Sequence, residues 1–404
     1  MFSRKRPVVD TTLLAVKAVQ QNYTPNSQLL ALLEQFRQMV NDSIRIGLAE
    51  NVTSLKSLST KAYNQLATYD VMSYYKLCAI SKATGILKNY RKTERRGKRV
   101  SRPYARRPQL TTCYGFKISS GNLLLPIKPR SNIRIPLNRH TLQVLSETRL
   151  TARSVTLTAS TITVAYSKDV PTLEPSGFMA IDRNLDNVTI ADSNGSITRH
   201  NLSEATEIKA MYREVKSHLN RNDSRVKQRV YAKYGMRQRN RVRQLLHLTS
   251  KQIITEAKSS KSAIVMERLT GIRKLYRKEN GQGRNYHARM NGWSFAELQR
   301  QVEYKARWEG LPVIYVNPYG TSVKCSICGL RMKPEENRTL KCRSCGFTVD
   351  RDVNAARNIL AAGMRALRFG AVAPASEAMV QEPQRRVILK VDADELTDRH
   401  PPTS

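Results

Sequence analysis

Four cysteines fall in two pairs of identical spacing. Cys325 and Cys328 lie in "KCSICG", Cys342 and Cys345 in "KCRSCG", with thirteen residues between the pairs. Two residues between cysteines make a tight turn that aims both thiolates at one tetrahedral ion. Gly329 and Gly346 follow the pairs and allow the positive φ that such a knuckle favours. Four protein thiolates leave no open coordination position, so the spacing predicts a closed, structural zinc ribbon rather than a redox pair. Cys78 and Cys113 have no partner at metal spacing and read as packing residues.

Seven residues after Cys345 stands Asp352, in "DRDVNAARNIL". Ala355, Ala356, Ile359 and Leu360 have helical spacing, which puts Asp352 in the first turn and makes Asp350 a candidate N-cap. The small alanines let this helix pack close to a sheet. Two further acids end apolar runs of buried-strand type: Asp182 after "FMAI" and Glu267 after "AIVM". One acid at a strand end is ordinarily a turn or cap residue. Two of them in one basic domain, with a third at a helix start, point to hard oxygen ligands gathered for Mg²⁺ or Mn²⁺. Two such ions about 4 Å apart activate a water and stabilise the leaving oxygen in phosphodiester hydrolysis. Asn354 and Asn358 are candidates for bonding substrate or neighbouring loops. The six histidines form no metal-spaced pair and receive no catalytic role.

The charge agrees with that chemistry. The 404 residues carry a net charge of +37, which implies a polyanionic partner, best read as nucleic acid. The charge is clustered. Residues 88–107 hold ten Lys or Arg against one Glu, and 209–243 hold twelve against two acids. Tyr90, Tyr104, Tyr212, Tyr231 and Tyr234 interleave these runs, so cations can neutralise phosphates while phenol rings stack on bases or riboses. No apolar run reaches the length of a membrane span, and the basic N-terminus lacks a signal-peptide core. The expectation is a cytoplasmic protein without disulfides and without a membrane partner.

These residues need elements to hold them. Residues 11–24 read as a strand, followed by a helix with Leu29, Leu32, Leu33, Phe36, Met39 and Val40 in one stripe, capped by Asn26 or Ser27. A second helical region runs from about 58 to 90, and 91–109 looks loop-like. From 111 to 168, β-branched alternation broken by Ser-Gly, Ser-Asn and Pro predicts a small antiparallel sheet or barrel, which the first strand joins. Residues 169–177 read as a linker. From 178 the order β-β-α-β-α-β predicts an α/β domain with a mixed sheet, with 273–292 as a mobile connection. Beyond 367 the pattern fades into a disordered tail.

"AIDRNLDN", "IVMERLTGIRK", "WSFAELQRQVEYKARWEG", "VNPYGTSVKCSICG" and "CRSCGFTVDRDVNAARNIL" together resemble the TnpB family, insertion-sequence proteins related to the type V RNA-guided CRISPR nucleases. The resemblance covers roughly 177–365. It implies an RNase H-like (RuvC) α/β nuclease domain over 177–319 and 349–370, interrupted by a zinc ribbon over 320–348. The family's catalytic, magnesium-binding triad falls on Asp182, Glu267 and Asp352, the last chosen over Asp350 because it fits the D-x-N-A-A pattern. The N-terminal part matches in layout only. It implies a β-rich, barrel-like wedge domain over 1–24 and 111–170 and a helical recognition domain over 25–110, with 371–404 as a tail. Ala180 stands where the family commonly has Gly. The implied activity is RNA-guided cleavage of double-stranded DNA by a mobile-element endonuclease, with a guide RNA and a displaced single strand as partners. Two alternatives are a guided DNA-binding regulator that does not cut and a transposase or accessory transposition protein. Relatives that have lost nuclease activity lack triad acids, whereas all three are present here.

Overall fold

A computed structural model describes residues 12–97, 99–147, 149–218, 224–269 and 283–368. The tail at 371–404 lies outside the described residues. The chain divides near residue 169 into two compact units.

The first unit runs through β1 (Thr12–Asn22), α1 (Ser27–Ala49), α2 (Leu55–Ala62), α3 (Ser73–Glu94), β2 (Leu110–Thr112), β3 (Lys117–Ser119), β4 (Asn122–Lys128), β5 (Ser131–Pro136), α4 (Arg139–Leu145), β6 (Thr151–Leu157) and β7 (Thr161–Pro171). The Asn26 side chain caps α1 by accepting from the Leu29 amide at 2.9 Å, and the six-residue apolar stripe of α1 is buried. The helical region expected over 58–90 is three pieces, α2, a 3-10 turn at Asn64–Thr68 and α3, which continues four residues further than expected. Hydrogen bonding makes two sheets here, ordered β1-β7-β6-β2 and β3-β4-β5. Gln21 of β1 links them, donating to the Pro136 carbonyl and accepting from the Asn138 amide, both at 3.0 Å.

The second unit is β8 (Gly177–Arg183), β9 (Asn187–Asp192), β10 (Ile197–Asn201), α5 (Ser203–Ser217), α6 (Ser224–Ser259), β11 (Ser262–Glu267), α7 (Arg284–Gly292), α8 (Phe295–Trp308), β12 (Val313–Val316), β13 (Met332–Pro334), β14 (Thr339–Cys342), β15 (Thr348–Asp350) and α9 (Arg351–Arg368). Its main sheet has the order β10-β9-β8-β11-β12. The strands β8, β9 and β10 pair antiparallel, and β11 runs parallel to both β8 and β12. Two differences from the sequence expectation matter. The turn at 193–195 is followed by an extra edge strand, β10. Residues 284–292, expected within a mobile connection, form helix α7, while 270–282 lie outside the described residues.

Alternation along the central strands divides the unit into two layers. Met179, Ile181, Ile264 and Met266 face a core built with Leu246 and Ile253 of α6 and Leu298 and Val302 of α8. Ala180, Ala263, Val265, Ile314 and Val316 face the other way, against Ile359 of α9. Gly363 brings α9 close to the sheet: a Cβ there would lie 2.5 Å from Val265 Cγ2. Ala180 is fully buried in this tight layer, where only a small side chain fits between strand and helix.

Candidate active site and metal centre

The strand register explains why two distant acids meet. Ile181 of β8 lies opposite Met266 of β11. The next residues, Asp182 and Glu267, therefore sit side by side at the C-terminal ends of these two central strands. Each continues the alternation of the small-residue layer, so both carboxylates point to the side covered by α9. The first turn of α9 supplies Asp352. The three acids are 7%, 9% and 4% exposed, far below what isolated surface carboxylates show.

Each accepts from a neutral donor. Asn184 Nδ2 donates to Asp182 Oδ2 at 2.8 Å and to Asn187 Oδ1 at 3.3 Å. Asn187 Nδ2 reaches Asp352 Oδ2 at 3.4 Å, so one amide relay joins two of the acids. Thr321 Oγ1 donates to Glu267 Oε1 at 2.6 Å. Behind them the Arg183 guanidinium, 3% exposed, donates to the Glu267 carbonyl and to Gln299 Oε1, each at 2.6 Å. Burial pushes the Asp182 carboxyl up to about 7; the Asn184 bond opposes this, and the charges of Glu267 and Asp352 add to it. The three buried carboxylates repel one another; among the described residues only the four cysteines bring all their possible ligand atoms within 4.8 Å of one another.

Asp350 has a different task. Its Oδ1 accepts from the Asp352 and Val353 amides at 2.9 and 3.1 Å, the geometry of a helix N-cap. Burial pushes its carboxyl up, but the Val353 amide, the Arg199 guanidinium and the Asp352 amide outweigh this and hold it below its ordinary range.

The four cysteines of the ribbon bring their sulfurs within 4.8 Å of one another. Cys325 and Cys345 sulfurs are 3.7 Å apart, Cys328 and Cys342 3.4 Å. Tetrahedral metal–sulfur bonds of about 2.3 Å would set sulfurs about 3.8 Å apart, so the thiolates fit such a centre. Gly329 and Gly346 take φ of 79° and 71° at the two knuckles.

The ribbon also touches the acids, which the residue types alone do not reveal. Asn354 Oδ1 accepts from the Ser326 amide at 3.0 Å and its Nδ2 donates to the Lys324 carbonyl at 2.7 Å. Asn358 donates to the Thr321 and Lys324 carbonyls at 2.8 and 2.7 Å. Both asparagines thus fasten α9 to the first knuckle. From the turn before β14, Arg338 donates to Asp352 Oδ1. Arg338 is one of 69 basic residues, and nothing in its neighbourhood marks it. Its reach depends on Asn337 and Arg338 both having positive φ, 53° and 63°, in residue types with no glycine to signal the turn. Thr321 was equally silent as a hydroxyl in a loop. Asn354 is fully buried, so Asn354→Ala should strip the Ser326 amide of its partner and lower stability by about 1–3 kcal/mol. The urea midpoint measures this, and an unchanged midpoint would show that the ribbon contact contributes nothing.

The mixed α/β architecture and the four-cysteine cluster fit a TnpB/Cas12-like fold. A solved complex of Cas12f1 with guide RNA and target DNA aligns with a TM-score of 0.57, covering 82% of each chain at 15% identity. Residues 295–359 match a family profile described as "Cas12f1-like, TNB domain". A TnpB-like protein of Methanocaldococcus jannaschii is 34% identical over 214 residues, which is 51% of this chain and 76% of the relative. The chain belongs to the TnpB family. The CRISPR-associated endodeoxyribonuclease Cas12f1 of Sulfoacidibacillus thermotolerans is 36% identical over 118 residues, which span 28% of this chain and 25% of that enzyme.

Proposed function

We propose that this chain is an RNA-guided DNA endonuclease of a mobile element, cutting target DNA with a metal-dependent RuvC-like site. The observation that carries the reading is the convergence of three buried carboxylates at one end of the central strands in a chain of net charge +37. Acids in so cationic a protein repel DNA unless cations bridge them to it. Asp182, Glu267 and Asp352 would hold Mg²⁺ or Mn²⁺; Cys325, Cys328, Cys342 and Cys345 would hold zinc. Bound divalent cations supply Lewis-acid activation of water and stabilise the departing oxygen of the phosphodiester.

The chain's own groups do the rest. Asn184 and Asn187 fix the rotamers of Asp182 and Asp352, and Thr321 fixes Glu267. Arg338, with its side chain 57% exposed at the same end, is placed to meet a phosphate as well as Asp352. The buried surround keeps bulk water from screening these charges. The first unit supplies the wedge-like β region and the helical recognition region that grip a guide RNA and its DNA heteroduplex by their backbones, as the resemblance implies. Its basic run beyond α3 gives that grip its charge. The displaced single strand would pass to the second unit. Among the described residues no helix is long and apolar enough to cross a membrane. The setting we propose is the cytoplasm, where the target DNA lies.

The test is cleavage of a DNA duplex matched to the RNA that co-purifies with the chain. Cuts that require both the match and Mg²⁺ or Mn²⁺ are expected. Tight, matched binding with no cut in either metal would instead identify a guided DNA-binding regulator.

A further inference from the structure

A second feature of this unit is not needed to build the three-acid site. Helices α5, α6 and α7 line an open cleft of about 400 Å³. Lys209, Arg213 and Lys216 line it from α5, Tyr231 and Gln238 from α6, and Gly292 closes it from α7. Among the described residues its lining contains no carboxylate, and none of the three cations forms an ion pair with an acid. Elsewhere the surface behaves differently: Arg243 pairs with Glu297, Lys258 with Glu309, and Arg289 with Asp186. Three cations converging on one concavity without a counter-charge make a site for an anion. An ordinary solvated basic face spreads its charges over a convex surface and forms no such concavity.

The lining is ordered by its own hydrogen bonds. Lys216 Nζ donates to Gln238 Oε1 at 2.9 Å, and Tyr231 donates to the Lys216 carbonyl at 3.1 Å. These bonds cross from α5 to α6 and hold the two walls at a fixed separation. Lys209 Nζ donates to the Gly292 carbonyl and to Ser294 Oγ, neutral acceptors that leave its charge unbalanced. Burial pushes Lys209 down to about 8, so the group is still cationic at neutral pH, and a bound anion would restore it.

The position of the cleft indicates its ligand. Gly292 and Ser294 flank Trp293, whose Nε1 donates to the Asn184 carbonyl at 2.8 Å. Asn184 in turn holds Asp182. Lys209 also lines a second, small cavity that it shares with Arg183, Asn184 and Trp293. A ligand at Lys209 is therefore connected to Asp182 through the 292–294 segment and Asn184, from the face of the sheet opposite α9. We propose that this cleft binds a backbone phosphate of the single-stranded DNA on its way to the three acids. The choice of DNA over guide RNA rests on the nuclease reading above, because the strand that must reach the acids is the one to be cut.

The test measures binding in a chain that cannot cut, so it does not depend on cleavage. Asp182→Asn protein with its RNA is titrated with a fluorescent single-stranded DNA oligonucleotide across a range of salt. Each phosphate contact contributes about 0.7 to the slope of log affinity against log salt for single strands. Arg213→Ala and Lys216→Ala should each weaken binding and lower the slope by about that amount. Arg213 is exposed and Lys216 half-exposed, so neither substitution opens the core. Arg241→Ala, an exposed position on α6 outside the cleft, should leave the slope unchanged. Unchanged slopes for the cleft variants, or an equal drop for Arg241→Ala, would overturn the proposal. So would loss of co-purifying RNA with single-stranded DNA binding intact, which would assign the cleft to the guide.

Discussion

Asp182→Asn should abolish cleavage and, in protein free of Mg²⁺ but with its ribbon metal retained, raise the melting temperature above neutral pH. The two effects have one cause. Asp182 is 7% exposed and faces two other acids, and its carboxyl is pushed up to about 7 from an ordinary 3.8. Between those values the folded chain binds a proton that the unfolded chain has released. Stability therefore falls as pH rises through that window, and the penalty is complete above about 7. Asparagine never ionises and escapes the penalty. The melting difference between variant and parent should be near zero at about pH 4 and reach several degrees at about pH 8.

Adding Mg²⁺ should reverse the order. The parent gains stability by binding the ion, while the variant, with one ligand neutralised, gains little. Cleavage should fall on the order of 10³-fold or more, since the variant loses charge where the reaction needs a cation held. A variant that cuts at the parent rate would remove Asp182 from the chemistry. A melting difference independent of pH would show that its burial carries no charge penalty. The stabilising effect of deleting a proposed catalytic acid is the mark of a site built against the interests of the fold.

Much of this site was legible in residue order because burial leaves a plain pattern. The strands that carry Asp182 and Glu267 near their C-terminal ends are covered by α9 on one face and α6 and α8 on the other. They appear as unbroken apolar runs that stop at an acid. The helix carrying Asp352 shows its packing face through Ala355, Ala356 and Ile359. The cysteine spacing depends only on local knuckle geometry. What stayed hidden needs long-range register or unusual backbone. Thr321 and Arg338 act because a loop and a turn happen to end beside carboxylates that are 54 and 14 residues away in the chain. Helix α7 is polar and short, so its sequence resembles a connection; its place is set by Trp293 on Asn184 and Arg289 on Asp186. In the first unit, alternation predicts strands but says nothing of which strands share a ladder. The division into two sheets appears only with the pairing itself.

Cys345→Ser should cost the chain both its ribbon metal and most of its cleavage. The sulfur of Cys345 stands 3.7 Å from that of Cys325, and a hydroxyl there is a poor substitute for a thiolate on a soft ion. Loss of the ion releases the turns that carry two contacts to the acids, Thr321 on Glu267 and Arg338 on Asp352, and a third contact, Ser326 with Lys324, to Asn354 of α9. Zinc should drop from roughly one equivalent per chain, and cleavage by about 10–100-fold, the range expected when groups that orient metal ligands are lost. Far-UV circular dichroism should change little, because the main sheet and its two covering layers do not include the ribbon. Thr321→Val separates positioning from general loosening. It keeps the thiolates and the side-chain shape but removes the 2.6 Å bond to Glu267. It should retain zinc while requiring more Mg²⁺ to reach half-maximal cleavage. A zinc-free Cys345→Ser chain that cuts at full rate would reduce the ribbon to a neighbour of the acids. Zinc loss with an unchanged Mg²⁺ requirement in Thr321→Val would place the coupling in Arg338 and α9 alone.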